Sequence, residues 1–162
     1  FLQQSRNQVL PRPETERLGA PTMIRATEGT LNYANWSPRY RDTLRQAALS
    51  PEVDRIFRNA IIKQALCDSE TDRRWLNKVR PWWGHDAHFH VRLACPLDSA
   101  QCQPQKPIPP GDGCDADLAN WVRDIVQAAR NPKPYKKPEP PSTENLPAAC
   151  YPVLNSPTAW RR

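Results

Sequence analysis

"WWGHDAHFHVRLAC", residues 82–95, holds all three histidines of the chain: His85, His88 and His90. From His88 onward polar and apolar residues alternate, with His88, His90 and Arg92 set against Phe89, Val91 and Leu93. Period two marks a β-strand, because successive side chains point to opposite faces. The pattern predicts Phe89, Val91 and Leu93 in a core. His88 and His90 then share the other face, roughly 7 Å apart along the strand. Two imidazoles so placed can converge on one metal ion or one water, and histidine is both the commonest metal ligand and a common general base. A bare H-x-H is a weak signal, and two ordinary exposed histidines are the plain alternative. A catalytic zinc takes three protein ligands and an open position. The stretch offers one or two convergent histidines at most. Asp86 has the parity of His88, but Pro81 and Gly84 place the strand's start after it. The residues alone predict an incomplete metal centre.

Around this strand the sequence predicts helices. Residues 11–35 carry no clear periodicity and read as a long connection. Ser37 can cap a helix with Pro38 at its first position, its stripe being Tyr40, Leu44, Ala47 and Ala48 and its end Ser50–Pro51. "VDRIF", residues 53–57, reads as a short strand. "NAIIKQALC" returns to helical spacing with Asn59 as its cap. "SETDRRWLNKV" reads as a further helix, with Ser69 and Asp72 as a weak capping box, Trp75, Leu76 and Val79 on its buried side and Pro81 as its stop. Residues 96–113 are loop, dense in turn formers. The clearest helix follows Cys114. Asp115 or Asp117 can cap it, and Leu118, Trp121, Val122, Ile125, Val126 and Ala129 hold one apolar face. From residue 131 the chain reads as a Pro- and Lys-rich tail with too few apolar residues to fold. The expected organisation is therefore a domain over residues 1–130 and a disordered tail over 131–162.

The chain has 162 residues, 19 of them proline and 5 glycine, and a net charge of +6 from 23 basic and 17 acidic side chains. The basic residues are scattered, which suits an anionic partner only weakly. No apolar run approaches the roughly 20 residues that span a bilayer, so no transmembrane segment is expected. No charged stretch followed by an apolar core marks a signal peptide in the sequence, which opens on "FLQQ", similar to the end of a strand. No recognised nucleic-acid motif or basic helix is present, and nucleic acid is not expected as a partner. Five cysteines, Cys67, Cys95, Cys102, Cys114 and Cys150, include no C-x-x-C pair. Cys95 and Cys102 suit a bridge closing a short loop. Disulfides would place the chain outside the cytosol; five buried thiols are the alternative.

"KVRPWWGHDAHFHVRLACP", residues 78–96, resembles the C-terminal signature of the penicillin-insensitive murein endopeptidases. These are zinc peptidases related to lysostaphin-type and D-Ala-D-Ala-cleaving enzymes, with a fold shared by the hedgehog signalling domain. "IFRNAIIKQALC" and "TDRRWLNKVRPW" lie upstream in the family's order and "PPGDGC" downstream, so the resemblance spans roughly residues 36–121. It implies an α+β fold, a small antiparallel sheet with flanking helices. It implies Zn2+ as cofactor, with His90 as a metal ligand, His88 as catalytic base or transition-state stabiliser, and His85 as a further active-site histidine. The family's other two ligands come from an H-x6-D motif absent here. The chain is therefore expected to begin just after them and, alone, to bind zinc weakly and cut nothing. The resemblance also implies the pairs Cys67–Cys114 and Cys95–Cys102, with Cys150 bonded to a cysteine upstream of Phe1. The helix past Trp121 and the last dozen residues depart from the family pattern.

The activity so implied is hydrolysis of the cross-link between D-alanine and meso-diaminopimelate in peptidoglycan, in the periplasm. Trp82, Trp83 and Arg92 can line a substrate groove; core packing for the tryptophans and a plain surface charge for Arg92 are equally good readings. The competing function is a non-catalytic binder of the cell wall or another polyanion.

Overall fold

The structure, a computed structural model, describes residues 11, 13–14, 19–134 and 146–155. The readings of "FLQQ" and of most of the Pro- and Lys-rich stretch lie outside them. The chain divides into two compact units, Phe1–Pro132 and Lys133–Arg162.

The first unit is α+β. A hairpin of β1 (Ile24–Arg25) and β2 (Thr30–Leu31) precedes α1 (Pro38–Leu49). Then come β3 (Val53–Arg58), α2 (Ala60–Ser69), a 3₁₀ turn at Arg74–Lys78, β4 (Val79–Pro81), β5 (His90–Leu93) and α3 (Ala116–Arg130). The larger sheet has the order β4-β3-β5. β5 runs antiparallel to β3, but β4 runs parallel to it, with Ile56 opposite Val79. The sheet is thus mixed, not wholly antiparallel. The α2 crossover returns the chain to the same end of the sheet, and that connection makes a parallel neighbour.

Local chemistry accounts for most boundaries. Pro38 opens α1, whose N-cap Ser37 makes no side-chain cap bond. Asn59 caps α2, its Oδ1 accepting from the Ile61 N–H at 2.9 Å. Asp115 caps α3 by accepting from Leu118 N–H at 3.1 Å, and Arg130 in the last turn donates to the Thr27 carbonyl at 2.8 Å. The core gathers Leu44, Ile56, Ile61, Ile62, Leu66, Leu76, Val79 and Leu118. Each buried aliphatic side chain contributes about 1.5–3 kcal/mol.

Four expectations fail here. "SETDRRWLNKV" forms only the 3₁₀ turn: Ser69 ends α2, its Oγ donating to the Ala65 carbonyl, while Asp72 is held by Arg74, so no capping box forms. Residues 11–35 contain the β1–β2 hairpin, and Met23, Ile24 and Leu31 join the core. Gly29 makes that hairpin's turn at φ 72°; a Cβ there would meet the Val126 side chain of α3 at 2.9 Å. Strand β5 starts at His90, not His88, and Val91 and Leu93 are 41% and 58% exposed. Among the described residues β5 is an edge strand paired with β3 alone, so alternation there does not mean burial. Tyr40 is also exposed, whereas Leu44 and Ala48 are buried as the stripe predicts.

The structure forms both Cys67–Cys114 and Cys95–Cys102. The first ties α2 to the chain just before α3. There the "PPGDGC" loop is fastened further by Asn77, which donates to the carbonyls of Pro109 and Gly111. Lys63, fully buried in α2, donates to the carbonyls of Leu76 and Asp112. In the second unit, residues 148–154 form a 3₁₀ turn and a single helical turn, α4 (Tyr151–Leu154). Cys150 forms no disulfide among the described residues. No helix among the described residues is long and apolar enough to cross a membrane.

Candidate metal centre

Residues 82–89 leave β4 and turn back into β5. Gly84 and His85 adopt consecutive left-handed conformations, φ 66° and 53°. That region is easy for glycine and costly for histidine, so the surroundings must hold it. They do so through carbonyls. The Arg58 guanidinium, 1% exposed at the end of β3, donates through one nitrogen to the carbonyls of both His85 and His88. Its other terminal nitrogen donates to Met23 Sδ at 2.8 Å. Asn59 donates from its side chain to the Gly84 carbonyl at 2.8 Å and from its backbone to the His85 carbonyl at 3.2 Å. Met23 N–H donates to the Asp86 carbonyl at 3.0 Å. Burial lowers the Arg58 pKa to about 10, with Asp86 opposing the fall. The cation therefore persists at neutral pH.

The turn brings all three histidines together. Candidate ligand atoms of His85, His88 and His90 lie within 4.8 Å of one another. Ring centroids are 4.5 Å apart for His85–His90, 5.0 Å for His88–His90 and 5.3 Å for His85–His88. The expectation of one or two convergent histidines is thus corrected to three. Strand parity alone could not include His85, because it joins through the left-handed turn. His85 Nδ1 lies 2.7 Å from the Trp83 carbonyl. A carbonyl only accepts, so Nδ1 carries the proton, and in the neutral ring Nε2 keeps its lone pair. A backbone carbonyl on the far nitrogen is the usual way a ligating imidazole is oriented. His88 and His90 are exposed and His85 half-buried, so the group is open to solvent. Imidazole donors with an open side fit a borderline metal such as zinc.

The flanking residues divide. Trp82 is 52% exposed and rests edge-on against Phe57, with centroids 5.1 Å apart. Trp83 is 56% exposed and sits 5.9 Å from Trp121 of α3. Neither tryptophan is a core residue. Arg92 is half-buried and donates to the Gln103 carbonyl at 2.6 Å, fastening the loop closed by Cys95–Cys102. A pocket of about 210 Å³ beside His88 is lined by Met23, Tyr40, Leu44, Arg58, Ala87 and Phe89. Arg58 and Asn59 are the supporting residues that sequence reasoning missed in this role. The available signal was parity: Arg58 shares the phase of buried Ile56, an anomalous place for a charge unless it has buried partners.

The profile of the penicillin-insensitive murein endopeptidases matches residues 1–155. The chain belongs to this family. The penicillin-insensitive murein endopeptidase of Yersinia enterocolitica serotype O:8 is 48% identical over 114 residues, 70% of this chain and 42% of the relative. That of Klebsiella pneumoniae subsp. pneumoniae is 47% identical over 121 residues, 74% and 42% of the two chains. That of Escherichia coli O1:K1 is 47% identical over 123 residues, 75% and 43%. The chain thus spans about four-tenths of the length of these relatives. The family match contains the histidine turn, both disulfides and the "PPGDGC" loop. It also takes in α3 beyond Trp121, which the motifs alone left outside.

Proposed function

We propose that this chain contributes the histidine wall of the catalytic centre of a zinc endopeptidase. Its reaction is hydrolysis of the D-alanyl–meso-diaminopimelyl cross-link of peptidoglycan, in the periplasm. The supporting observation is the convergence of His85, His88 and His90 in a chain of the murein endopeptidase family. Two disulfides suit an oxidising compartment.

In this reading His90, fixed on β5, is a metal ligand. A zinc ion at such a site supplies Lewis acidity, polarising a carbonyl and lowering the pKa of water to about 7. His88, exposed just before the strand, takes a proton from water or donates a hydrogen bond to the oxygen that gains charge. His85, oriented by the Trp83 carbonyl, holds the third corner of the group. Trp82 and Trp83 offer apolar surface to substrate. Arg92 braces the adjoining loop.

Zinc content and cleavage of purified cross-linked muropeptides, measured on a protein that joins this chain to the family's H-x6-D motif, test the reading together. His90→Ala should lose both metal and turnover. His88→Ala should keep metal and lose turnover by about 10²–10⁴-fold. Full turnover in His90→Ala overturns the proposal. A second reading, favoured by the mutual 4.8 Å spread, makes all three histidines ligands. His88→Ala would then lose metal as well.

A further inference from the structure

We infer that the cleft between Trp83 and the outer face of α3 is a saccharide-binding subsite, taking a neutral sugar unit of a glycan chain. The cleft has a volume of about 350 Å³ and is lined by Trp83, Asp117, Asn120, Trp121 and Asp124. Its two kinds of wall match the two faces of a pyranose. Trp83 presents a half-exposed indole, and Trp121, packed against the core, fixes the pair from below. An indole face accepts the C–H face of a sugar ring, and tryptophan is at home where one side is apolar and the other wet. Asp117, Asn120 and Asp124 are exposed and recur at spacings of three and four residues, so they form one stripe on α3. The stripe is about 10 Å long at 1.5 Å per residue. Carboxylates only accept hydrogen bonds, and sugar hydroxyls donate them. Asn120 Oδ1 accepts from Arg123, which leaves the amide nitrogen to donate to an acetamido carbonyl or ring oxygen. Two carboxylates at this spot in a chain of net charge +6 disfavour a phosphorylated or carboxylate-rich ligand. That argues for the neutral sugar and against an anionic stem peptide.

The cleft adjoins the histidine group through one residue: the Trp83 carbonyl is the acceptor for His85 Nδ1. A sugar stacked on Trp83 would bring its attached peptide toward His85, His88 and His90. That benefit to cross-link hydrolysis rests on the proposed function; sugar binding itself does not.

The test is a titration of the full chain with β-1,4-linked tri-N-acetylglucosamine, which carries no peptide, followed by indole N–H resonances and calorimetry. Saturable shifts confined to Trp83 and Trp121 are expected. Trp83→Ala should weaken binding by about tenfold or more, the loss ordinary for a tryptophan contact. The double variant Asn120→Ala/Asp124→Ala changes only exposed positions. It should weaken binding about fivefold, with an unchanged unfolding curve. Tyr33→Ala, at an exposed aromatic outside the cleft, should bind as the parent chain does. Absence of saturable shifts, full affinity in Trp83→Ala, or shifts given only by a sugar-free cross-linked peptide would each overturn the inference. Failure of the endopeptidase reading would show instead as muropeptides left uncut by a protein that joins this chain to the family's H-x6-D motif, alongside intact sugar binding.

Discussion

Two irregular segments, residues 82–90 and 109–114, are fastened by the same device in different chemistry. Each surrenders backbone carbonyl oxygen to a buried basic side chain on a neighbouring element. Arg58 takes the His85 and His88 carbonyls of the histidine turn, and Lys63 takes the Asp112 carbonyl of the "PPGDGC" loop together with that of Leu76 in the 3₁₀ turn. The loop also has a covalent tie, Cys67–Cys114, and a glycine packed against the Arg80 guanidinium. The histidine turn is anchored through backbone carbonyls, so its imidazoles are left to face one another. One guanidinium nitrogen meets both carbonyls while the other arm of the fork reaches Met23 Sδ, and the group keeps its charge. Burial lowers the Lys63 pKa to about 7, with nearby Arg80 adding to the fall and Asp112 and Asp115 opposing it. Position without covalent constraint serves a site; constraint without display serves a scaffold.

The comparison breaks most visibly at the disulfide. Replacing Cys67 and Cys114 together by Ala should cost about 4 kcal/mol, the loop-closure entropy for a separation of 47 residues. Denaturant midpoints measure it. Arg58→Met strands two buried carbonyls and should cost about 3 kcal/mol. Metal affinity of the histidine group should fall about 10–100-fold as its support loosens. Arg58→Lys should recover only part, because the charge returns without the fork; equal stability in Arg58→Met would disprove the anchoring role. The glycines sharpen the contrast. Gly113→Ala should cost about 2 kcal/mol, because φ is 68° and the new Cβ would sit 3.1 Å from Arg80. Gly84→Ala, at φ 66° with nothing within 4 Å, should cost only about 1 kcal/mol.

The smallest step is the pH dependence just above neutrality. Lys63 has a folded pKa of about 7, below its ordinary 10.5. Between those values the unfolded chain binds more protons, so the group's contribution makes stability rise with pH through that window and stay flat below it. The rise should be about 1 kcal/mol between pH 7 and pH 8. Urea unfolding at successive pH values measures it, and Lys63→Met should flatten the slope.

Much of the fold was legible because it follows from local signals. Pro38, Asn59 and Asp115 mark helix starts, and the Leu118–Ile125 stripe names the buried side of α3. What escaped depends on partners distant in sequence. Residues 69–79 carry helical spacing, but Val79 is needed in an extended strand beside Ile56, and pairing outweighs propensity. The apolar parity of β5 is real, yet an edge strand leaves Val91 and Leu93 uncovered. For the site, H-x-H put His88 and His90 together. The inclusion of His85 turned on two left-handed residues and on Arg58, 27 positions upstream, which no spacing rule connects.

Met23 is the chain's one methionine, and its sulfur touches the guanidinium that fastens the histidine turn. Isotope labelling of methionine methyls would therefore give a single resonance, assigned without effort. Its chemical shift would follow the Arg58 anchor directly. The molecule thus carries a built-in spectroscopic reporter for whether the histidine group is assembled, readable without metal, substrate or turnover.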